Sequence, residues 1–316
     1  MERRKGRPLT IGDTIGIVAP SSPVKDWETV MQGKAILESY GYEVRLGASC
    51  YETYGGYLAG AATRRATDIH DMFKNPEIAA VMCLRGGYGA LQLLPLLNYA
   101  IIRDHPKLFI GYSDVTALHT AFGQNAALAT VHGPMLASDI AGDAGGFSLA
   151  SLQHILQDNN LPLELVNPPG EAIACLVPGV AQGQLVGGNL SLIASTIGTP
   201  YEIDTRGKVL FLEEIGEEPY RIDRLLMQLQ LAGKLEDAAA FVFGQWTDCE
   251  TKQYADSFSV SELLEKIIVP YKKPAIYNVQ AGHCTPTLTL PFGVEVTVDA
   301  TQKKLIVEES VVARVH

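Results

Sequence analysis

Leu108-Phe109-Ile110-Gly111-Tyr112-Ser113-Asp114-Val115-Thr116 is the stretch on which the fold turns. Its first three residues are the apolar run of a buried strand. Val115, Leu118, His119 and Phe122 then recur at helical spacing. A strand that passes through Gly-Tyr-Ser straight into a helix is a connection of an α/β sheet. A serine on that turn holds its hydroxyl at the carboxyl edge, beside helix N-terminal amides suited to an oxyanion. Ser113 is therefore a candidate nucleophile, and a Ser113-Asp114 N-cap is the competing reading.

Upstream, Thr14 to Ala19 reads as a first strand closed by the turn Pro20-Ser21-Ser22-Pro23. Trp27 to Tyr40 reads as a helix stopped by Gly41, and Glu43 to Leu46 as a second strand. Ala61 to Lys74 reads as a second helix, with Arg64, Arg65, Asp68 and Asp71 outward and Ile69, Met72 and Phe73 inward. Ala79 to Leu84 is a third strand. This alternation predicts a parallel sheet with helices on both faces, whose ligands collect at the carboxyl ends of the strands. The third strand runs into Arg85-Gly86-Gly87-Tyr88-Gly89, read as an anion nest or a tight positive-φ turn. The spacings GxGxxG and GxxxxGK[ST] are both absent. Ala129 to Pro134 brings a further strand and turn to the same edge. His119 reads as a packing or surface residue, and His132 as structural before substrate-contacting.

Downstream, the Pro-, Asn- and Gly-rich segment Asn159 to Gly170 marks a boundary. The expected organisation is residues 1–160 as a nucleophile domain, 161–175 as a linker and 176–316 as a second domain. Gly183 to Leu190 reads as a glycine-rich turn opening a helix, with Asn189 as its cap or as a substrate contact. Lys208 to Leu212 is a strand leading into Glu213-Glu214-Ile215-Gly216-Glu217-Glu218. Arg221 to Ala232 is a helix packed through Ile222, Leu225, Leu226 and Leu229. Ala238 to Phe243 is a strand and Val260 to Ile268 a helix. Thr287 to Leu290, Val294 to Val298 and Leu305 to Val307 suggest a mixed or antiparallel end to the second domain.

Composition narrows the function classes. The 316 residues are 47% hydrophobic and 19% charged, which supports a sizeable core. The net charge of -10 argues against nucleic acid or an anionic membrane surface as main partner. Cys50, Cys83, Cys175, Cys249 and Cys284 are scattered and form no CxxC, as expected of reduced thiols. The basic start Met-Glu-Arg-Arg-Lys-Gly-Arg lacks a following apolar core, and no run approaches a membrane span. A cytoplasmic protein without metal or other cofactor is expected.

A serine nucleophile needs a base, most often a histidine oriented by a carboxylate. The second half offers His283 in a Gly-His turn, and Glu213 as the first polar residue after Val209-Leu210-Phe211-Leu212. The chain order Ser…Glu…His matches α/β-hydrolases, but Gly111-Tyr-Ser-Asp-Val lacks the second glycine of their G-x-S-x-G. The separations require a triad assembled from both domains. Glu214 and Glu217 compete with Glu213 for the orienting role.

Eight motifs taken together carry a resemblance. They are Val18-Ala19-Pro20-Ser21-Ser22, Leu84 to Gly89, Gly111 to Asp114, His132-Gly133-Pro134, Gly187 to Leu190, Leu212 to Glu217, Tyr220 to Arg224, and Gly282-His283. The chain resembles the LD-carboxypeptidases, which comprise the murein tetrapeptide carboxypeptidases and the microcin C immunity peptidase, from about Gly12 to about Val298. The resemblance implies a first domain like class I glutamine amidotransferases and a second, swivelling β/β/α-type domain. It implies Ser113 as nucleophile, His283 as base and Glu213 as its orienting carboxylate. It also implies an oxyanion hole at Gly87 and Asp114, with Gly86 as a further candidate. Arg85, Asn189 and Arg221 are candidate substrate contacts, with ordinary ion pairs as the competing reading for the arginines. The implied reaction releases D-alanine from murein tetrapeptide, by a homodimer. A microcin C immunity-type peptidase acting on an aminoacyl-nucleotide, and a non-catalytic small-anion-binding protein, are the alternatives. The nucleotide reading calls for an aromatic platform, and Asp139 to Ser148 offers only Phe147.

Overall fold

A computed structural model describes residues 3–143, 146–157 and 160–314. The chain divides into a first unit, Met1–Asn159 with Thr289–Gly293 and Ser310–His316, and a second, Asn160–Leu288 with Val294–Glu309. Asn159, where the expected boundary segment begins, lies outside the described residues.

The first unit alternates strand and helix. Its elements are β1 (Thr14–Val18), α1 (Trp27–Ser39), β2 (Glu43–Leu46), α2 (Ala62–Lys74), β3 (Ile78–Cys83), α3 (Tyr99–Asp104), β4 (Leu108–Gly111), α4 (Thr116–Asn125), β5 (Thr130–His132) and α5 (Phe147–Ile155). The strands pair in parallel in the order β2-β1-β3-β4-β5. Strands β1, β3 and β4 are buried along their whole length, as a parallel sheet covered on both faces requires. Phe109 and Phe122 meet edge-on at 4.8 Å, and Phe73 packs against Phe122 at 5.8 Å, so the strand leading to Ser113 is fixed to α2 and α4.

One expectation for α2 is overturned. Arg64 and Asp71 are exposed, but Arg65 and Asp68 are buried. Burial of Arg65 is offset by four hydrogen bonds, from its guanidinium to the carbonyls of Pro20, Gly60 and Gly89 and to Gln92 Oε1. Asp68 accepts the Ser49 amide at 2.6 Å.

The second unit holds β6 (Leu163–Leu165), β7 (Ala174–Val177), β8 (Val180–Asn189), α6 (Leu190–Ser195), β9 (Val209–Ile215), α7 (Pro219–Leu231), α8 (Lys234–Asp237), β10 (Ala240–Thr247), α9 (Val260–Ile268) and β11 (Ala275–Tyr277). After β12 (Leu290–Phe292) come β13 (Glu295–Asp299) and β14 (Lys304–Val307). The order β6-β14-β13-β8-β9-β10-β11-β7 has a parallel centre, β8 to β11, and antiparallel flanks. Leu210, Leu212, Phe241 and Phe243 form one face, covered by Ile193 of α6, Ile222, Leu226 and Leu229 of α7, and Leu263 and Leu264 of α9.

Two further expectations change. Gly183 to Asn189 is strand, not turn. The glycines serve close backbone approach, since a Cβ on Gly187 (φ +136°) would lie 1.9 Å from the Phe211 carbonyl oxygen. The expected strand Thr287 to Leu290 is displaced to β12. It pairs antiparallel with β5 in the first sheet, Leu290 opposite His132, instead of extending the second. Among the described residues no helix is long and apolar enough to cross a membrane.

Candidate active site

The Ser113 turn begins where β4 ends. Tyr112 is extended and Ser113 sits at φ +65°, in the left-handed region. For a residue with a Cβ this conformation costs about 1–2 kcal/mol, so its surroundings must impose it. Three bonds do so. Gly133 N–H donates to the Gly111 carbonyl at 3.2 Å, Val115 N–H donates to that of Tyr112 at 3.2 Å, and the Tyr112 hydroxyl donates to Asp139 at 2.8 Å. The strand, the strained serine and the helix that follows reproduce a nucleophile elbow without its second glycine.

The Arg85–Gly89 loop presses on this serine. A Cβ on Gly86 would stand 2.9 Å from both Cβ and Oγ of Ser113, so only glycine admits the approach. Gly87 is at φ +120°, and its position faces Ser22, whose Oγ accepts the Tyr88 amide at 3.1 Å. The Asp114 backbone lies in the first turn after Ser113, where helix amides have no intrahelical partner. Its side chain is 2% exposed and bonded to Ser21 and Ala90, away from the helix start. Burial pushes the Asp114 carboxyl above its ordinary value, against the lowering effect of these hydrogen bonds and of Arg65.

In the second unit the structure brings Glu213 and His283 together. Alternation along β9 puts Glu213 on the face of Val209 and Phe211, and Glu214 on the opposite face with Leu210 and Leu212. Glu213 is fully buried. Its Oε2 lies 2.7 Å from His283 Nδ1 and accepts the His283 amide at 3.3 Å. A carboxylate only accepts, so Nδ1 carries a proton, and in the neutral imidazole Nε2 then keeps its lone pair, the tautomer a general base needs. Glu213 Oε1 has no hydrogen-bond partner among the described residues. Gly282, at φ +104°, makes the pairing sterically open. The Thr247 hydroxyl donates to the His283 carbonyl and fixes the turn from the other side.

The competing glutamates are occupied elsewhere. Glu214 accepts from Ser191 N–H (2.8 Å), Ser191 Oγ (2.6 Å) and Asn189 Nδ2 (2.8 Å), and burial raises its pKa. Glu217 pairs on the surface with Arg221 at 3.4 Å. The candidate substrate contacts stand as follows. Asn189 is 3% exposed and caps α6 through Leu192 N–H at 3.2 Å. Arg221 is exposed and bonded to Tyr220 and Glu217. Arg85 is half-buried and donates to the Pro23 carbonyl at 3.3 Å. His119 and His132 are both buried, in an aromatic group with Tyr112, Phe109 and Phe292.

In the sequence Ser21 and Ser22 read only as part of a turn and motif, and Arg65 only as an outward residue, and none of them is given a place beside Ser113. The two serines sit in the turn after β1, at the same sheet edge as Ser113, and that placement was the available signal.

Comparison with known proteins follows the same lines. The chain matches the LD-carboxypeptidase N-terminal domain over residues 15–133 and the LD-carboxypeptidase C-terminal domain over residues 182–298. It is 42% identical over 309 residues to a probable murein peptide carboxypeptidase of Bacillus subtilis, covering 97% of this chain and 95% of the relative. The crystal structure of muramoyltetrapeptide carboxypeptidase from Oxalobacter formigenes superposes with a TM-score of 0.82 at 29% identity, covering 94% of this chain and 99% of that one. The microcin C7 self-immunity protein MccF of Escherichia coli is 27% identical over 331 residues, covering 96% of this chain and 95% of the relative. A wild-type apo structure of microcin C7 self immunity protein MccF superposes with a TM-score of 0.91 at 25% identity, covering 98% of this chain and 99% of that one.

Proposed function

The chain belongs to the LD-carboxypeptidase family, and from that premise we propose that it hydrolyses the L,D-amide releasing terminal D-alanine from murein tetrapeptide. Ser113 is the nucleophile in this reading, His283 the base and Glu213 the group that orients it. The observation that carries it is the left-handed Ser113 at the end of β4, a strained serine held at the carboxyl edge of a parallel sheet. The 2.7 Å contact between Glu213 and His283 supports the same assignment.

His283 Nε2 takes the Ser113 proton as Oγ attacks the carbonyl carbon of the diamino acid. The amides of Gly87 and Asp114 stabilise the oxyanion, at about 3–4 kcal/mol for one donor. The imidazolium, held by the buried Glu213 carboxylate, protonates the leaving nitrogen of D-alanine. Water activated by the same imidazole then releases the acyl group and restores Ser113. The fully buried Glu213 acts by electrostatics and by fixing the tautomer, without taking the proton itself. Family membership sets aside the non-catalytic binding reading. We read the enzyme as a cytoplasmic homodimer acting in peptidoglycan recycling; that its cysteines form no disulfide among the described residues fits the compartment.

A peptidase of the microcin C immunity type is the second reading, favoured by the superposition on MccF. The 42% identity to a murein peptide enzyme favours the first. Mass spectrometry of products from murein tripeptide, tetrapeptide, pentapeptide and a microcin C analogue separates them. Loss of D-alanine from tetrapeptide alone is expected. Cleavage of the analogue with the tetrapeptide left intact would reverse the choice.

A further inference from the structure

Beneath the Ser113 turn, two buried side chains of opposite charge grip the same pair of peptide segments. Asp114 Oδ2 accepts the Ser21 hydroxyl at 2.6 Å and the Ala90 amide at 2.8 Å. Arg65 donates to the carbonyls of the residues just before these, Pro20 and Gly89. The peptide group joining Gly89 to Ala90 is thus held at both ends, its C=O on the guanidinium and its N–H on the carboxylate. The turn after β1 is held in the same manner, by the Pro20 carbonyl and the Ser21 hydroxyl.

The surroundings are shaped for this clamp. Arg65 is fully buried, and Gly89 stands at φ +129° where a Cβ would lie 2.6 Å from Arg65 Nη1. Arg65 reaches the clamp from α2, and Gln92 Oε1 takes another of its protons at 2.6 Å. The bracketed peptide ends the loop Arg85–Gly89, which touches Ser113 through Gly86. Asp114 is itself the residue after the serine. One carboxylate therefore joins the nucleophile turn to the loop that carries Gly87.

We propose that Arg65 and the Asp114 side chain are positioning residues, which set the register between Ser113 and the oxyanion-binding amide of Gly87. The inference rests on the reading of Ser113 as nucleophile. A clamp of this kind acts on the transition state, because the oxyanion forms only there, while substrate affinity depends on other contacts. Ser21 is its second anchor and is the milder point of attack.

Asp114→Asn, Ser21→Ala and the double variant test the proposal. They are compared by kcat and KM for D-alanine release, by the rate at which a fluorophosphonate labels Ser113, and by circular dichroism. Asp114→Asn is expected to lower kcat about 10- to 100-fold, with KM within about threefold of the parent. Ser21→Ala should lower kcat by about three- to tenfold, and the double variant should be little worse than Asp114→Asn, because both cut one connection. Labelling should slow in parallel. Folded variants with kcat within about twofold of the parent, or a raised KM at unchanged kcat, would overturn the proposal. If Asp114→Asn does not fold, Ser21→Ala decides by the same criteria. If the parent releases no D-alanine but Ser113 is labelled, the substrate reading has failed, and labelling rates alone judge the clamp.

Discussion

Gly282 leaves no room for a side chain beside Glu213: a Cβ built there would stand 2.6 Å from Oε2 and 2.8 Å from Cδ of the carboxyl group. The glycine before the histidine is thus what lets a buried carboxylate reach the imidazole from behind. Gly282→Ala would meet both this overlap and the strain of φ +104°. The variant is expected to lose about 1–3 kcal/mol of stability and about 100-fold or more in kcat, through displacement of Glu213. Thermal melting and steady-state kinetics check the two parts.

Adjacent glutamates on β9 should separate cleanly. Glu213→Gln leaves the shape but offers an amide where His283 Nδ1 needs an acceptor, which destabilises the imidazolium and allows the wrong tautomer. A fall in kcat of about 10³- to 10⁴-fold is expected, with KM little changed. Glu214→Gln instead weakens the bonds to Ser191 and Asn189 at the start of α6. It should cost about 1–3 kcal/mol of stability and leave kcat within about threefold. The reverse pattern would assign the orienting role to Glu214.

His119 makes the first unit acid-sensitive. Its Nε2–H donates to the Gly111 carbonyl at 2.8 Å, and Nδ1 has no partner among the described residues. Burial lowers its pKa from 6.5 to about 4. The unfolded chain therefore binds a proton that the folded chain refuses. The stabilisation is complete above pH 6.5 and is lost as the pH falls through 4, at most about 3 kcal/mol. Denaturant titrations between pH 7 and pH 4 should show this loss, and His119→Asn should flatten the slope. An unchanged slope in a folded variant would remove His119 as the source.

Much of this molecule is legible in its residues because local pattern and fold agree. The apolar run Leu108 to Ile110, then a glycine, then helical spacing from Val115, describe β4 and α4 correctly. The Ser113 turn could be recognised for the same reason. Arg65 was misjudged by its charge, although it stands on the stripe of Ile69, Met72 and Phe73, at i+4, i+7 and i+8. Periodicity places it inward, against the usual exposure of a charged side chain. The choice between Glu213 and Glu214 was of another kind. Alternation says they face opposite ways, but which face meets His283 depends on a loop 70 residues further on. The displacement of Leu290–Phe292 to the first sheet is likewise set by pairing with Thr130–His132, far away in the chain. In β8 the glycines resemble turn chemistry, and only the proximity of Phe211 shows that they serve a strand.

The central claim is that Ser113 performs the attack. The most direct measurement is D-alanine release from murein tetrapeptide by the parent protein and by Ser113→Ala, with folding of both checked by circular dichroism. The account predicts release by the parent and a loss of about 10⁴-fold or more in the folded variant. Release by Ser113→Ala at the parental rate would contradict it.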